Sequence, residues 1–451
     1  MASNRDILDA QQFTRARLTT AFRSGLPDGR ELEPRSSITP LIVGVVITAL
    51  LIGVALVMRR FAPTLPQDWQ NNYVLVIKDT GARYYTIDGV MHPVTNITSA
   101  KLLTPAGSFH VAEVPTSTVS GIRRGPQIGL LDAPDDMPLP ASLTAGPWTA
   151  CGLSDAATQT WIGPLPQPFS STPMALVSNA GVTYLVAGGM RLPLSPASQQ
   201  ATITALGLVG AAIHPVRADW LNLLSPADGL GPLTIPHAGQ PAPGLPAALA
   251  TAVIGSLVEV PRDDGTVAHY VVSDAGRLVE LTPVGYALYQ VGTGAIETTV
   301  GRPIQTTLGQ IASLVTNNTG IIPLSWPARI DTVATAAQFP CLTLDLTGST
   351  PAVTHGAATD PPVSATGEAI IPGGSGALIR VSTGGTLGSL RFIADNGLAY
   401  GLGEPQADTL ARLGYTADNV TVMPQPWAAL VPPKNPDAPV LSPGTVQATV
   451  P

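Results

Sequence analysis

Residues Leu41 to Met58 read LIVGVVITALLIGVALVM, and this stretch decides the architecture. It holds eighteen residues, with Thr48 the only hydroxyl and no charge among them. As a helix rising ~1.5 Å per residue it would extend ~27 Å, about the thickness of a hydrocarbon core. A soluble amphipathic helix shows a polar face, and this segment has none. The pattern predicts a single transmembrane helix over 41–60, opened by Pro40 and closed by Arg59 and Arg60. Forty residues precede it, and Arg59-Arg60-Phe61-Ala62-Pro63 offers no small-residue cleavage site, so an uncleaved anchor is expected.

Residues 21–40 and 59–78 each carry three basic side chains, which gives the positive-inside rule no local bias. The wider balance is asymmetric: residues 1–60 carry net +3 and residues 61–451 net −10. A basic arm inside and an acidic body outside is the expectation. The two cysteines, Cys151 and Cys341, both lie in the body. Lone thiols in an extracytoplasmic domain invite a disulfide, here across ~190 residues and worth roughly 5 kcal/mol by chain entropy. The alternative is two unrelated buried thiols. The bond is preferred because Trp148-Thr-Ala-Cys151 and Phe339-Pro-Cys341 give each cysteine an aromatic neighbour.

Gly and Pro number 45 each, and charged residues make up only 12%, which suits many short strands joined by turns. A body of about 390 residues exceeds one core, so several modules are expected. With an acidic balance and aromatics at 5%, nothing in the composition points to nucleic-acid binding, and none is expected.

In the arm, residues 4–23 carry Ile7, Leu8, Phe13, Leu18 and Phe22 without Pro or Gly, after a Ser3 N-cap. That predicts an amphipathic helix ending at Gly25, facing a cytoplasmic partner or the membrane, or else a loose basic tail. Residues 1–40 form the arm, with a polar linker over 26–40, and 61–72 a stalk. Beyond the stalk a pattern recurs: Asp79-Thr-Gly81, Asn179-Ala-Gly181, Asp274-Ala-Gly276 and Asp395-Asn-Gly397, each between apolar strands. Each reads as a hairpin whose Gly takes the left-handed region and whose Asx side chain holds the turn. Spacings of 100, 95 and 121 residues are too uneven for a propeller. Helical stretches follow at 95–103, 195–208 and 406–413. Two copies share a tail, Val216…Trp220 and Val422…Trp427.

The predicted class is α+β: one transmembrane helix, then four hairpin-plus-helix repeats around a β-rich central domain. The ranges are repeat 1 over 73–119, central part a over 120–168, repeat 2 over 169–235 and repeat 3 over 250–334. Central part b covers 335–388, repeat 4 covers 389–431, and 432–451 is a Pro-rich tail, extended or disordered.

Gly81-Ala-Arg-Tyr84, then Gly89-Val-Met-His92-Pro93-Val94-Thr-Asn96 through Leu102, together with Gly125-Pro126, Ala133-Pro134-Asp135 and Trp148…Cys151, resembles the EccB family. EccB is a membrane core subunit of actinobacterial type VII (ESX) secretion systems. The resemblance covers essentially the whole chain and is most specific over 73–151. It implies a single-pass inner-membrane protein with a cytoplasmic N-terminus, a periplasmic body and one disulfide. It implies partners too: an EccC-type motor ATPase, EccD, EccE, a mycosin protease and further copies of itself. Family members are described as periplasmic ATPases, so the resemblance makes ATP a possible cofactor.

The residues themselves offer little chemistry. A Walker A loop needs Gly-x-x-x-x-Gly-Lys-Ser/Thr, and none of Lys78, Lys101 and Lys434 follows a glycine. The runs Gly373-Gly-Ser375-Gly376 and Gly384-Gly-Thr-Leu-Gly388 read as turns, and Arg380 and Arg391 as surface charges. Six histidines, His92, His110, His214, His237, His269 and His355, show no metal spacing. No Gly-x-Ser-x-Gly elbow occurs. A structural subunit that scaffolds or gates export is the leading reading. Periplasmic ATP hydrolysis and a multivalent cell-wall-binding module are the alternatives.

Overall fold

The computed structural model describes residues 4–25, 38–60, 64–165, 174–292, 302–317, 320–346, 348, 351–361, 363–364 and 367–451. Ser3 and the linker residues 26–37 lie outside them. The chain divides into two compact units, Met1–Leu65 and Pro66–Pro451.

The first unit holds two helices. One is Asn4–Ser24, after which Gly25 turns left-handed at φ 63°, with its amide on Ala21 O. The other is Ile38–Arg60, in which the span Ile38–Ala55 has none of its length buried. Such a surface is a poor fit to water and a good one to lipid. Thr48 Oγ1 donates to Gly44 O at 2.8 Å, so the hydroxyl in the middle of the span is satisfied within the helix.

The second unit is built on five sheets. In the first, β1 (Tyr73–Ile77), β2 (Arg83–Ile87) and β3 (Val90–Pro93) run antiparallel; a helix, Ile97–Leu103, then leads to β4 (His110–Val114), which lies parallel to β1. Asn96 caps that helix by accepting from Ser99 N at 2.8 Å. β5 (Trp148–Gly152) and β6 (Thr158–Ile162) start the central sheet. The next sheet contains β7 (Met174–Asn179), β8 (Val182–Ala187), β9 (Met190–Pro193), β10 (Ile213–Pro215) and β11 (Ser225–Pro226), ordered β10-β7-β8-β9-β11. β12 (Leu257–Pro261), β13 (Val267–Val272), β14 (Leu278–Glu280), β15 (Ile304–Gln305) and β16 (Val315–Thr316) repeat the order as β15-β12-β13-β14-β16. β17 (Phe339–Asp345) and β18 (Ala352–Ala358) complete the central sheet, β18-β17-β5-β6. β19 (Ala377–Thr383), β20 (Thr386–Ile393), β21 (Ala399–Leu402) and β22 (Thr421–Pro424) form the last, β21-β20-β19-β22.

The four outer sheets therefore share one plan: three antiparallel strands, a helix, and a strand returning parallel to the first. A fifth segment runs parallel to the third strand. It is a strand in two sheets and a pair of isolated bridges in the others, Met91–Arg124 with Val94–Ile128, and Ala399–Pro433 with Leu402–Leu441. The unit is thus a small mixed sheet, larger than a hairpin with a helix.

Three assignments from the sequence change. Residues 124 and 128 bridge to the first sheet, so this stretch belongs to repeat 1 rather than to the central part. Residues 377–383 are the first strand of repeat 4, because Ile379 and its neighbours pair with both β20 and β22. The Pro-rich tail is folded: it holds a helix, Pro443–Gln447, and buries Leu441 and Val446. Val446 joins a core with Leu102 of repeat 1 and Phe392 and Leu410 of repeat 4. Gly129 N donates to Thr449 Oγ1 at 2.9 Å, which fastens the tail across repeat 1.

Candidate functional site

The cysteines meet in the central sheet. Cys151 on β5 and Cys341 on β17 stand directly opposite, with Cα atoms 4.0 Å apart, joined by a disulfide and buried among Trp161, Ala358 and Ile370. Beside them Thr149 and Thr343 hydroxyls lie 3.1 Å apart across the same strand pair. The other flank of the sheet carries Trp148 into a shared core with Trp220 of repeat 2 and Trp427 of repeat 4. Trp220 Nε1 donates to Ala150 O at 3.0 Å. Gly152 lets this packing close, since a Cβ there would stand 2.7 Å from Val216 Cγ1. Both tryptophans sit on short helices that follow the parallel strand of their repeat, Ala218–Leu221 and Gln425–Ala428. The shared Val…Trp tails therefore anchor two repeats to one sheet.

The four Asx-x-Gly motifs do not occupy equivalent places. Asp79-Gly81 and Asn179-Gly181 connect the first and second strands of their sheets. Asp274-Gly276 and Asp395-Gly397 connect the second and third. All four glycines have positive φ, 70°, 81°, 66° and 74°. Their surroundings differ. A Cβ on Gly81 or Gly181 would meet nothing within 4 Å, whereas on Gly276 it would lie 1.8 Å from Pro243 O and on Gly397 1.9 Å from Ala369 O. The same signature thus answers to backbone conformation in one pair, and to conformation plus close chain approach in the other.

Three of the four Asx side chains reach outward instead of closing their own turns. Asp79 Oδ2 accepts from Thr116 N at 2.8 Å, Asn179 Nδ2 donates to Val216 O at 2.8 Å, and Asp395 Oδ2 accepts from Gly374 N at 3.0 Å. Asp274 is exposed. The Thr116 amide holds the Asp79 carboxyl below its ordinary range. The residue between performs the local task in two copies: Thr80 Oγ1 accepts from Ala82 N, and Asn396 Oδ1 from Leu398 N.

The glycine-rich runs do not fit a nucleotide triphosphate. The Gly374 amide is taken by Asp395, and the groove beside it is lined by Asp135, Asp136 and Asp395, which repel phosphate. Gly384 and Gly385 are the two-residue turn between β19 and β20, at φ 56° and 83°. Arg380 donates to Gln406 Oε1 at 2.7 Å. Lys78 pairs with Glu113 and Lys101 with Asp136. Among the described residues no group of three His, Cys, Asp or Glu stands close enough to hold a metal ion. Two histidines instead carry a buried ring nitrogen. His214 Nε2 and His355 Nε2 are buried without a hydrogen-bond partner among the described residues. Burial pushes both imidazoles below their ordinary pKa.

A family model described as "Type VII secretion system ESX-1, transport TM domain B", EccB, matches residues 1–446. The "ESX-3 secretion system ATPase EccB3" of Mycolicibacterium smegmatis is 27% identical over 406 residues, 80% of this chain and 74% of the relative. The "ESX-2 secretion system ATPase EccB2" of Mycobacterium tuberculosis is 25% identical over 292 residues, 61% of this chain and 56% of the relative. A chain of an intact ESX-5 inner membrane complex superposes with TM-score 0.66 at 21% identity, covering 99% of this chain and 95% of that one. A chain of the EccB3 dimer from the ESX-3 core complex gives TM-score 0.62 at 23% identity, covering 83% and 99%. At these identities the structures establish likeness of fold.

Proposed function

Because the match spans residues 1–446, the chain belongs to the EccB family of type VII secretion systems, and we propose that it is a structural subunit of such an inner-membrane complex. It spans the membrane once through Ile38–Arg60, with the basic arm cytoplasmic and the acidic body periplasmic. There it scaffolds or gates export, beside an EccC-type motor ATPase, EccD, EccE, a mycosin protease and further copies of itself. The observation that carries the reading is that one family match covers arm, anchor and body together.

Mechanically, the body suits a load-bearing role. Repeats 2 and 4 are fixed to one disulfide-linked sheet through Trp220 and Trp427, and repeat 1 is joined to repeat 4 through the tail. Arg412 Nη1 adds a bond to Leu102 O at 3.1 Å across that junction. The relatives' names as ATPases make hydrolysis the reading to set against this one. Neither glycine-rich run offers a phosphate cradle, so the weight falls on the structural role.

The test is export. Deleting the chain from its host should stop the appearance of type VII substrates in the culture medium, and the full chain should restore it. Added protease should remove the body from intact spheroplasts. Undiminished export without the chain, or protection of residues beyond 72, would refute the reading.

A further inference from the structure

Residues 61–451 carry fifteen Lys and Arg side chains. Seven form ion pairs with carboxylates. Four more bond to protein oxygen or lie over an aromatic ring. Among the described residues that leaves Arg123, Arg302, Arg391 and Lys434. Two of these, Arg391 and Lys434, line the same groove, of about 320 Å³. In so acidic a body, such a pairing of unneutralised cations calls for an explanation.

The backbone supplies one. Lys434 N donates to Ala399 O at 3.0 Å, and Leu441 N to Gly401 O at 2.8 Å, so the tail runs along the edge of β21 at both ends. Between these points residues 435–440 leave the strand. The ladder of β20 and β21 turns the N–H and C=O of Ala399 and Gly401 toward the tail. Ala399 N donates to Pro432 O, and Gly401 O accepts from Leu441. The Gly401 N–H, facing the gap where the tail departs, has no acceptor among the described residues. One carboxylate is present, Asp132, and its Oδ2 accepts from Asn435 Nδ2 at 3.1 Å.

We propose that this groove between β21 and the C-terminal tail binds a phosphate group, held by Arg391, Lys434 and the Gly401 N–H. Two cations and one neutral donor suit an oxyanion of charge near −2 better than a single carboxylate. Phosphate binding here is independent of the secretion assignment.

The experiment uses the full chain in detergent micelles, with inorganic phosphate as the probe and the width of its 31P resonance as the readout. Phosphate should broaden with wild type and bind at least about tenfold more weakly to the R391Q/K434Q double variant, as expected when charge-assisted bonds are lost. The R123Q/R302Q control, which removes the two unpaired cations outside the groove, should bind like wild type. D132N should bind more tightly, a change that a misfolded variant cannot mimic. No broadening with wild type, or equal loss in the two double variants, overturns the proposal. Displacement by glycerol phosphate assigns an envelope source and displacement by ADP alone a nucleotide. Acetate displacing phosphate more readily than either overturns the phosphate assignment.

Discussion

Two glycines with the same sequence signature are expected to differ about two- to threefold in what they contribute. Gly81→Ala places a methyl at φ 70° with nothing within 4 Å, so its cost is the left-handed backbone alone, about 1–2 kcal/mol. Gly397→Ala meets the same backbone penalty at φ 74° and puts its Cβ 1.9 Å from Ala369 O. The carbonyl cannot stay, and moving it strains the Ala369 N to Gly397 O hydrogen bond of 3.2 Å. That adds about 1 kcal/mol for the bond and about 1–2 kcal/mol for displaced chain. The sum for Gly397→Ala is about 4 kcal/mol. At roughly 2 °C per kcal/mol, Gly81→Ala should lower Tm by about 3 °C and Gly397→Ala by about 8 °C. The assay is thermal unfolding of the full chain in mild detergent, followed by tryptophan fluorescence, since Trp148, Trp220 and Trp427 share one buried core. Gly181→Ala should behave like Gly81→Ala, and Gly276→Ala like Gly397→Ala. Four equal shifts would show that turn conformation alone explains the motif and that the close approaches are of no consequence.

Other outcomes follow from the same structure. Thiol labelling under non-reducing conditions should find neither Cys151 nor Cys341 reactive, and the double serine variant should lose roughly 5 kcal/mol of stability by chain entropy; labelling of either without reductant would contradict the bond. For His214 and His355 the folded pKa lies below the unfolded value, so the unfolded chain binds more protons and stability falls as pH drops below about 6.5. Replacing both with Gln should flatten denaturation midpoints between about pH 7 and about pH 5, and an unchanged slope would remove these residues from the pH dependence. Val446→Asp, which buries a charge where repeats 1 and 4 meet, should cost about 3 kcal/mol or more and make the tail protease-sensitive; a wild-type digestion pattern would argue against tail docking.

The legible parts of the sequence are those with one physical cause. Leu41–Met58 has no polar face, so its helix is readable, and Gly25 marks the end of the arm helix. The hairpin glycines are readable as positive-φ positions, but positive φ does not say which pair of strands a turn connects. That is why one motif stands for two structural sites. The parallel strands escape notice because most have only two to four residues, and three of them, Ile213–Pro215, Ser225–Pro226 and Thr421–Pro424, end in proline, too short for alternation to show. In the tail, Leu441 and Val446 are separated by polar residues, Pro and Gly, and only tertiary contact reveals them as core. Arg391 and Lys434 lie 43 residues apart on different elements, and no spacing rule joins them.

Membership of a membrane-embedded secretion assembly is the central claim. The most direct measurement is purification of the tagged full-length chain from its own membranes in mild detergent, with mass spectrometry of the material that accompanies it. A subunit of such an assembly should bring with it a stoichiometric set that includes a motor with several ATPase domains and a polytopic membrane subunit. Recovery of the chain alone, from intact membranes and in several detergents, would contradict the claim.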